Sequence, residues 1–339
     1  MKAIGLYKYL PIEHMDSLVE ESIEKPIPSN RDLLVKVHAI SINPVDVKVR
    51  SPKEKTENTL KILGWDACGV VEAVGPDCSI FKIGDKVYYA GSITRQGSYS
   101  EYQVVDERIV GKKPLTLTDA EAAALPLTAI TAWEGLFERL NIPLHHPEEN
   151  RNKSILIIGG AGGVGSAAIQ LAKLVGLTVI STASREESKK WVEELGSDYV
   201  INHYKPFKEQ LASIGFEDVD YIFCLNNTDQ HWQSMGEVIV PQGKICSIVE
   251  NSEPLDLNVL KSKSVTFVWE FMFTRSMYET TDMIKQHELL TSLSQLIDAG
   301  KFRTTLKEII SPINAENLRI AHQKVETGQT IGKIVLEGF

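Results

Sequence analysis

Cysteine is scarce in this chain: Cys68, Cys78, Cys224 and Cys246 are the only four among 339 residues. No two form a C-x-x-C pair. The four read as free, buried thiols rather than disulfides. Long apolar runs are missing as well. No stretch reaches the roughly 18 apolar residues a transmembrane helix needs, so no membrane partner is expected. The opening MKAIGLYKYLPIEHMDSLVEE turns acidic early and holds no sustained apolar region. It does not read as a secretory signal, and a cytoplasmic location is expected. A basic surplus is also absent: 36 Lys and Arg stand against 45 Asp and Glu, a net charge of −9. Nucleic-acid binders need the opposite balance, so no such partner is expected. There is no internal repeat and no low-complexity segment.

Enough apolar material remains for a full core. Hydrophobic residues make up 43% and charged residues 24%, ordinary values for a globular protein. The length fits about two domains. Residues 1–125 read as mostly strand. The runs LLVKVHAISI (33–42), ACGVVEAVG (67–75) and DKVYYAGS (85–92) are bounded by the turn signals Asn43-Pro44, Gly75-Pro76 and Gly84-Asp85. Short strands without intervening helices predict an antiparallel sheet or barrel. DAEAAALPLTAITAWEGLFERL then reads as two helical segments divided near Pro126. The polar segment 141–152, with two prolines, reads as a loop. From Ser154 the chain alternates: SILIIGG, a helix through Val175, TVIST (178–182), a helix closing on Gly196, then DYVIN, VDYIFCL and GKICSIV. Strand–helix alternation predicts a parallel, doubly wound α/β sheet. YETTDMIKQHELLTSLSQLIDAGK predicts one long amphipathic helix, and GKIVLEGF a final strand.

Gly160-Ala161-Gly162-Gly163-Val164-Gly165 fits G-x-G-x-x-G. The motif follows an apolar strand and opens a helix, the context that gives it meaning. Gly160 is expected to permit the tight turn, Gly162 to let the backbone approach a pyrophosphate, and Gly165 to let helix and strand pack closely. Phosphates at a helix N-terminus meet free N–H groups and a favourable dipole. An NAD-specific site places an acid at the end of the second strand. Here that strand ends Ser181-Thr182-Ala183-Ser184-Arg185. A small hydroxyl residue followed by Arg suits a 2′-phosphate, with Lys189 a helical turn further. Glu186 and Glu187 read as acids at a helix N-terminus. NADPH is therefore the expected cofactor.

At this point the chain resembles the medium-chain dehydrogenase/reductase superfamily over essentially its full length. It is most similar to the zinc-free quinone-oxidoreductase branch and to the bacterial zinc-type alcohol dehydrogenase-like group. The resemblance is carried by SINPVDVKVR (41–50), ILGWDACGVVEAVG (62–75), GDKVYYAG (84–91), EAAALPLTAITAWE (121–134), IIGGAGGVGS (157–166), WEFMFTRSM (269–277) and INAENLRIAH (313–322). It implies a GroES-like β-barrel catalytic domain over 1–127, a Rossmann NADP-binding domain over 128–268, and a C-terminal segment, 269–339, that completes the first domain. It also implies an active site in the cleft between domains and a homodimer.

Zinc-dependent relatives supply a catalytic Cys from the segment matching SINPVD and a His from the segment matching LGWDA. Here those positions hold Asn43 and Trp65. Zinc takes Cys, His, Asp or Glu ligands. Asp46 and Asp66 remain nearby, but the structural-zinc cysteines of those relatives are missing from residues 90–115. No metal site is expected. His145 and His146, with Glu148 and Glu149, read as a solvated loop.

Without a Lewis acid, alcohol oxidation is disfavoured. Hydride transfer from NADPH to an already electrophilic small molecule, a quinone or an α,β-unsaturated carbonyl, remains feasible. The resemblance places Asn43 and Thr131 near the nicotinamide, the backbone of Ser247-Ile248-Val249 at its carboxamide, and Lys333 near the phosphates. Trp65, Trp269, Phe271 and Phe273 could line a flat acceptor site, or simply pack a core. Arg275 could orient a substrate oxygen or pair with an acid. Asp66 is expected to hold loop geometry. No dedicated general acid stands out, and Tyr88 and Tyr89 offer none over water. Two other readings stay open: a zinc-dependent alcohol dehydrogenase, and an NADPH-binding protein with a non-catalytic role.

Overall fold

A computed structural model describes residues Met1–Phe339. The N-terminal stretch forms β1 (Lys2–Tyr9), β2 (Val19–Ser22), β3 (Asp32–Ser41), α1 (Pro44–Arg50), β4 (Lys53–Ile62), β5 (Asp66–Val74), β6 (Lys86–Tyr89), β7 (Tyr102–Asp106) and β8 (Val110–Lys112). Two helices follow, α2 (Asp119–Ala123) and α3 (Pro126–Trp133). Thr118 and Glu121 cap α2 reciprocally, and Pro126 opens α3, where its missing N–H costs nothing. The chain does not stop turning after Trp133: Glu134–Arg139 continue as a π-helix.

The middle stretch alternates β9 (Ser154–Ile158), α4 (Gly163–Leu174), β10 (Thr178–Thr182), α5 (Glu186–Glu194), β11 (Tyr199–Ile201), α6 (Phe207–Ser213), β12 (Val219–Cys224), α7 (Thr228–Val238), β13 (Ile239–Ser247), α8 (Asn258–Lys261) and β14 (Thr266–Trp269). The C-terminal stretch adds α9 (Thr274–Tyr278), α10 (Lys285–Asp298), β15 (Leu306–Ile310), α11 (Ala315–Glu326) and β16 (Lys333–Glu337).

Two compact units result. One joins Met1–Ile130 with Phe273–Phe339; the other is Thr131–Met272. In the first unit a seven-stranded sheet runs β15-β16-β3-β5-β6-β8, with β7 also paired to β3. All its pairings are antiparallel except β15 with β16. A three-stranded sheet, β2-β1-β4, completes the unit. The second unit is one parallel sheet ordered β11-β10-β9-β12-β13-β14. Every residue of β9 is buried, as expected for a strand covered on both faces. Leu156, Ile158, Ile180, Ile222, Phe207 and Trp232 anchor its core.

Two sequence expectations change. The long helix expected over YETTDMIKQHELLTSLSQLIDAGK begins only at Lys285. Glu279 adopts a left-handed conformation with φ 46°. Asp282 accepts bonds from Thr280 and Arg275, so side chain and backbone there favour a turn. The return to the first unit comes at Phe273 rather than residue 269, because Trp269 closes β14 opposite Ser247. Strand β4, KEKTENTLKI, is a mostly exposed edge, in keeping with the strand-rich reading of residues 1–125.

Candidate active site and cofactor site

In the first unit, α1 starts immediately after β3, so Asn43 sits at their junction. Its backbone N–H donates to Asp46 Oδ2 at 2.8 Å. Its side-chain amide donates to Asp66 Oδ2 at 2.8 Å, and its Oδ1 accepts from the Lys333 ammonium. Lys333 also donates to the Ile42 carbonyl at 2.8 Å and to Asp66 Oδ2 at 3.2 Å. Asp66 Oδ1 accepts from the backbone N–H of Leu127 at 2.7 Å. Asn43, Asp46, Asp66 and Lys333 are all buried. Burial pushes the Lys333 ammonium down and both carboxyls up, Asp46 to about 7; Lys333 opposes that rise at each. Tyr99 extends the cluster, donating to Asp46 Oδ2 at 3.1 Å and meeting His322 Nε2 at 3.0 Å.

This geometry corrects two expectations. Lys333 has three N–H donors and three acceptors inside its own unit, so it is not held out for phosphate. The Asn43 side chain is committed to Asp66 and Lys333, so it faces inward instead of offering itself to a ribose. Asp66 ties Asn43, Lys333 and the Leu127 N–H together at this junction. Trp65 is also corrected: only 1% exposed, it donates its indole N–H to the Ser92 carbonyl at 3.0 Å and packs edge-on against Phe273. It is a core residue, not a catalytic one. Arg275 is buried and bound through Nε and Nη2 to Asp282, which holds the Asp282 carboxyl down to about 2. Of its two expected roles, the pairing with an acid is the one observed. Tyr88 and Tyr89 are buried, with their hydroxyls pushed up by burial; Tyr88 donates to the Leu290 carbonyl at 2.6 Å. Neither is poised as an acid.

The donor set does not fit zinc. At the positions of the Cys and the His stand an amide and a buried indole; of the two remaining carboxylates, Asp66 already holds an ammonium and Asp46 accepts from the Asn43 N–H and the Tyr99 hydroxyl. His146, Glu148 and Glu149 do gather on the exposed loop before β9, their ligand atoms within 4.8 Å of one another. They are three solvated side chains, and His145 is not among them.

In the second unit, the glycine-rich turn joins β9 to α4. The residue in the left-handed region is Gly159, φ 89°, not Gly160. A Cβ on Gly160 would sit 2.9 Å from the Ser181 side chain, so Gly160 serves packing against β10. The tight-turn role moves one residue earlier. A Cβ on Gly165 would lie 2.4 Å from the Gly159 carbonyl and 2.5 Å from that of Gly160; this is the close helix packing expected. At Gly162 a Cβ would find nothing nearer than the Gly159 oxygen at 3.6 Å. Gly162 caps α4 without any side chain over the helix end, so the N–H groups of Gly163, Val164 and Gly165 begin a helix with no side-chain cap. Thr182 Oγ1 accepts from the Gly159 N–H at 2.9 Å, tying the end of β10 to the turn. Beyond it stand Ala183, Ser184 and the exposed Arg185, with no acid at the strand end. Lys189 pairs with Glu186 at 2.6 Å. These residues fit a dinucleotide: the turn leaves room for backbone approach and the helix start suits an anion.

The other expected nicotinamide contacts fall together in this unit. Thr131 is buried on α3. Thr228 Oγ1 meets Ser247 Oγ at 2.6 Å and donates to the Val249 carbonyl at 2.5 Å. The Ile248 N–H donates to the Cys224 carbonyl at 3.2 Å. Trp269 stands opposite Ser247 and is 44% exposed; Phe271 is exposed too. The four aromatics are thus divided, Trp65 with Phe273 in one unit and Trp269 with Phe271 in the other.

Comparison with known proteins agrees with both units. A family model for the GroES-like domain of alcohol dehydrogenases matches residues 29–115, and one for zinc-binding dehydrogenases matches 195–336. A zinc-type alcohol dehydrogenase-like protein of Staphylococcus aureus is 48% identical over 336 residues, covering 99% of each chain. The chain belongs to the medium-chain dehydrogenase/reductase superfamily. In this superfamily member, the unit with the mostly antiparallel sheet holds the GroES-like domain, and the parallel sheet is Rossmann-like. The quinone oxidoreductase of Pongo abelii is 29% identical over 99% of this chain and 97% of its own. The crystal structure of a candidate zinc-dependent alcohol dehydrogenase from Rhizobium etli aligns with TM-score 0.95 at 48% identity, covering 100% of this chain and 98% of that one. The protein is an oxidoreductase of a family that uses nicotinamide cofactors, and no helix in it is long and apolar enough to cross a membrane.

Proposed function

We propose that this protein is a zinc-independent, NADPH-dependent reductase of quinones or α,β-unsaturated carbonyls. The observation that carries this reading is the Lys333 ammonium seated on Asp66 and Asn43. A buried fixed cation already satisfies one of the two carboxylates that would otherwise remain for a metal. With no site to activate an alcohol, the acceptor must be electrophilic in its own right, as conjugated carbonyls are.

Bound NADPH would supply the hydride. The chain's own residues bind and orient it. The turn at Gly159–Gly165 and the start of α4 hold the pyrophosphate. Ser184 and Arg185 take the 2′-phosphate, and Thr182 fixes the turn against β10. The Asn43–Asp66–Lys333 network keeps the junction of β3 and α1 in one conformation. The reduced acceptor also gains a proton, which this reading assigns to solvent water. The test is NADPH oxidation by chelator-treated protein with quinones and enones as acceptors, with NADH in parallel. Alcohol oxidation that appears only on adding zinc would contradict the reading.

A homodimer belongs to the same proposal. β14 is an edge strand of the parallel sheet, and the exposed aromatics Trp269 and Phe271 lie at its end. Such edges invite pairing. Light scattering should return the mass of two chains; the mass of one would reject the dimer.

A further inference from the structure

The second unit buries two carboxyl groups that neither the fold nor the proposed chemistry has used. Glu134 opens the π-helix, and Glu270 directly follows β14. Both side chains are fully buried. They share a single cation, Arg139. Arg139, at the other end of the π-helix, donates from Nε to Glu270 Oε2 at 2.8 Å and brings Nη2 to 4.0 Å from Glu134 Oε2. Glu270 Oε1 is buried with no N–H or O–H donor from the protein. Two fully buried carboxyls set on one guanidinium favour a proton on one of them. With that proton the trio of Glu134, Glu270 and Arg139 is neutral; without it, two buried anions share one cation.

The pair sits beside the strand end assigned to the nicotinamide. Glu270 donates its backbone N–H to the Ser247 carbonyl at 2.9 Å. Thr131 lies one helical turn before Glu134. We propose that Glu134 and Glu270 are positioning residues for the nicotinamide end of the cofactor: one shared proton locks the π-helix to the end of β14, and so holds Ser247 and Thr131 in register. This rests on the reading that the Thr131–Met272 unit binds NADPH.

Burial first, and Glu134 next, push the Glu270 carboxyl well above the usual carboxylate range, against the opposing pull of Arg139. The other titratable group packed against the pair is Cys246 on β13, itself pushed up by burial and by Glu270; Cys224 on β12 bears on Cys246 in turn. When rising pH removes the shared proton, the carboxylates repel and NADPH binding weakens.

The test is the Kd of the full chain for NADPH, measured by fluorescence from about pH 7 to about pH 10, alongside the infrared C=O band of a protonated carboxylic acid. In the wild type the Kd should rise at least ~3-fold across that range, as expected for a binding-linked proton, and the band should fade with the same midpoint. Glu270→Gln keeps an N–H donor towards Glu134 and should flatten the Kd curve and remove the band. A flat wild-type curve, an equal rise in Glu270→Gln, or no acid band at neutral pH would overturn the proposal. If the variant does not fold, the wild-type band and its midpoint decide the matter alone. Failure to bind NADPH at neutral pH would instead reject the reading this rests on, and the band would still report the shared proton.

Discussion

Lys333 is the residue on which the chemistry turns, and its role can be measured apart from activity. It is the only cation bonded to buried Asp66. Replacing it with methionine strands that carboxylate, and breaking a buried pair from one side typically costs about 3–5 kcal/mol. Urea unfolding of Lys333→Met should show a loss of that order, partly recovered in Lys333→Met/Asp66→Asn. No change in the midpoint would mean the network holds nothing. The glycines allow a sharper contrast. Gly165→Ala places a Cβ against two backbone oxygens and should destabilise the fold by about 1–3 kcal/mol. Gly162→Ala meets only ordinary contact. It should leave unfolding within about 1 kcal/mol of wild type yet weaken NADPH binding about tenfold or more, a loss of about 1.4 kcal/mol. Equal effects of the two substitutions on unfolding and on binding would contradict these roles.

At the scale of elements, the proposed preference for NADPH rests on the junction of β10 with α5. Arg185 is exposed there, and no acid stands at the strand end. Arg185→Ala should raise the Kd for NADPH about tenfold, the value of one charge-assisted contact, and leave that for NADH unchanged. Equal weakening of both would place Arg185 outside the 2′-phosphate site. Much at this scale was legible. β10 runs over TVIST, and Gly196, φ 107°, lies just past α5. Both rest on local signals, periodicity and a left-handed terminus. What stayed hidden depends on partners far along the chain. The π-helix is stabilised by Gly135 lying against Phe223 and by Arg139 reaching Glu270. The left-handed glycine is Gly159, because the motif does not say where the turn begins. The inward commitment of Asn43 and Lys333 joins residues 290 positions apart, which no local spacing reports.

For the whole molecule, family membership and chemistry point in different directions. The matching family description speaks of zinc, while the residues at the ligand positions are an amide and a buried indole, with an ammonium beside them. The central claim is that catalysis needs NADPH and no metal. Its most direct test follows NADPH oxidation by EDTA-treated protein against quinones and enones. The account predicts turnover that survives chelation and prefers NADPH to NADH. Activity abolished by EDTA and restored by zinc would contradict it.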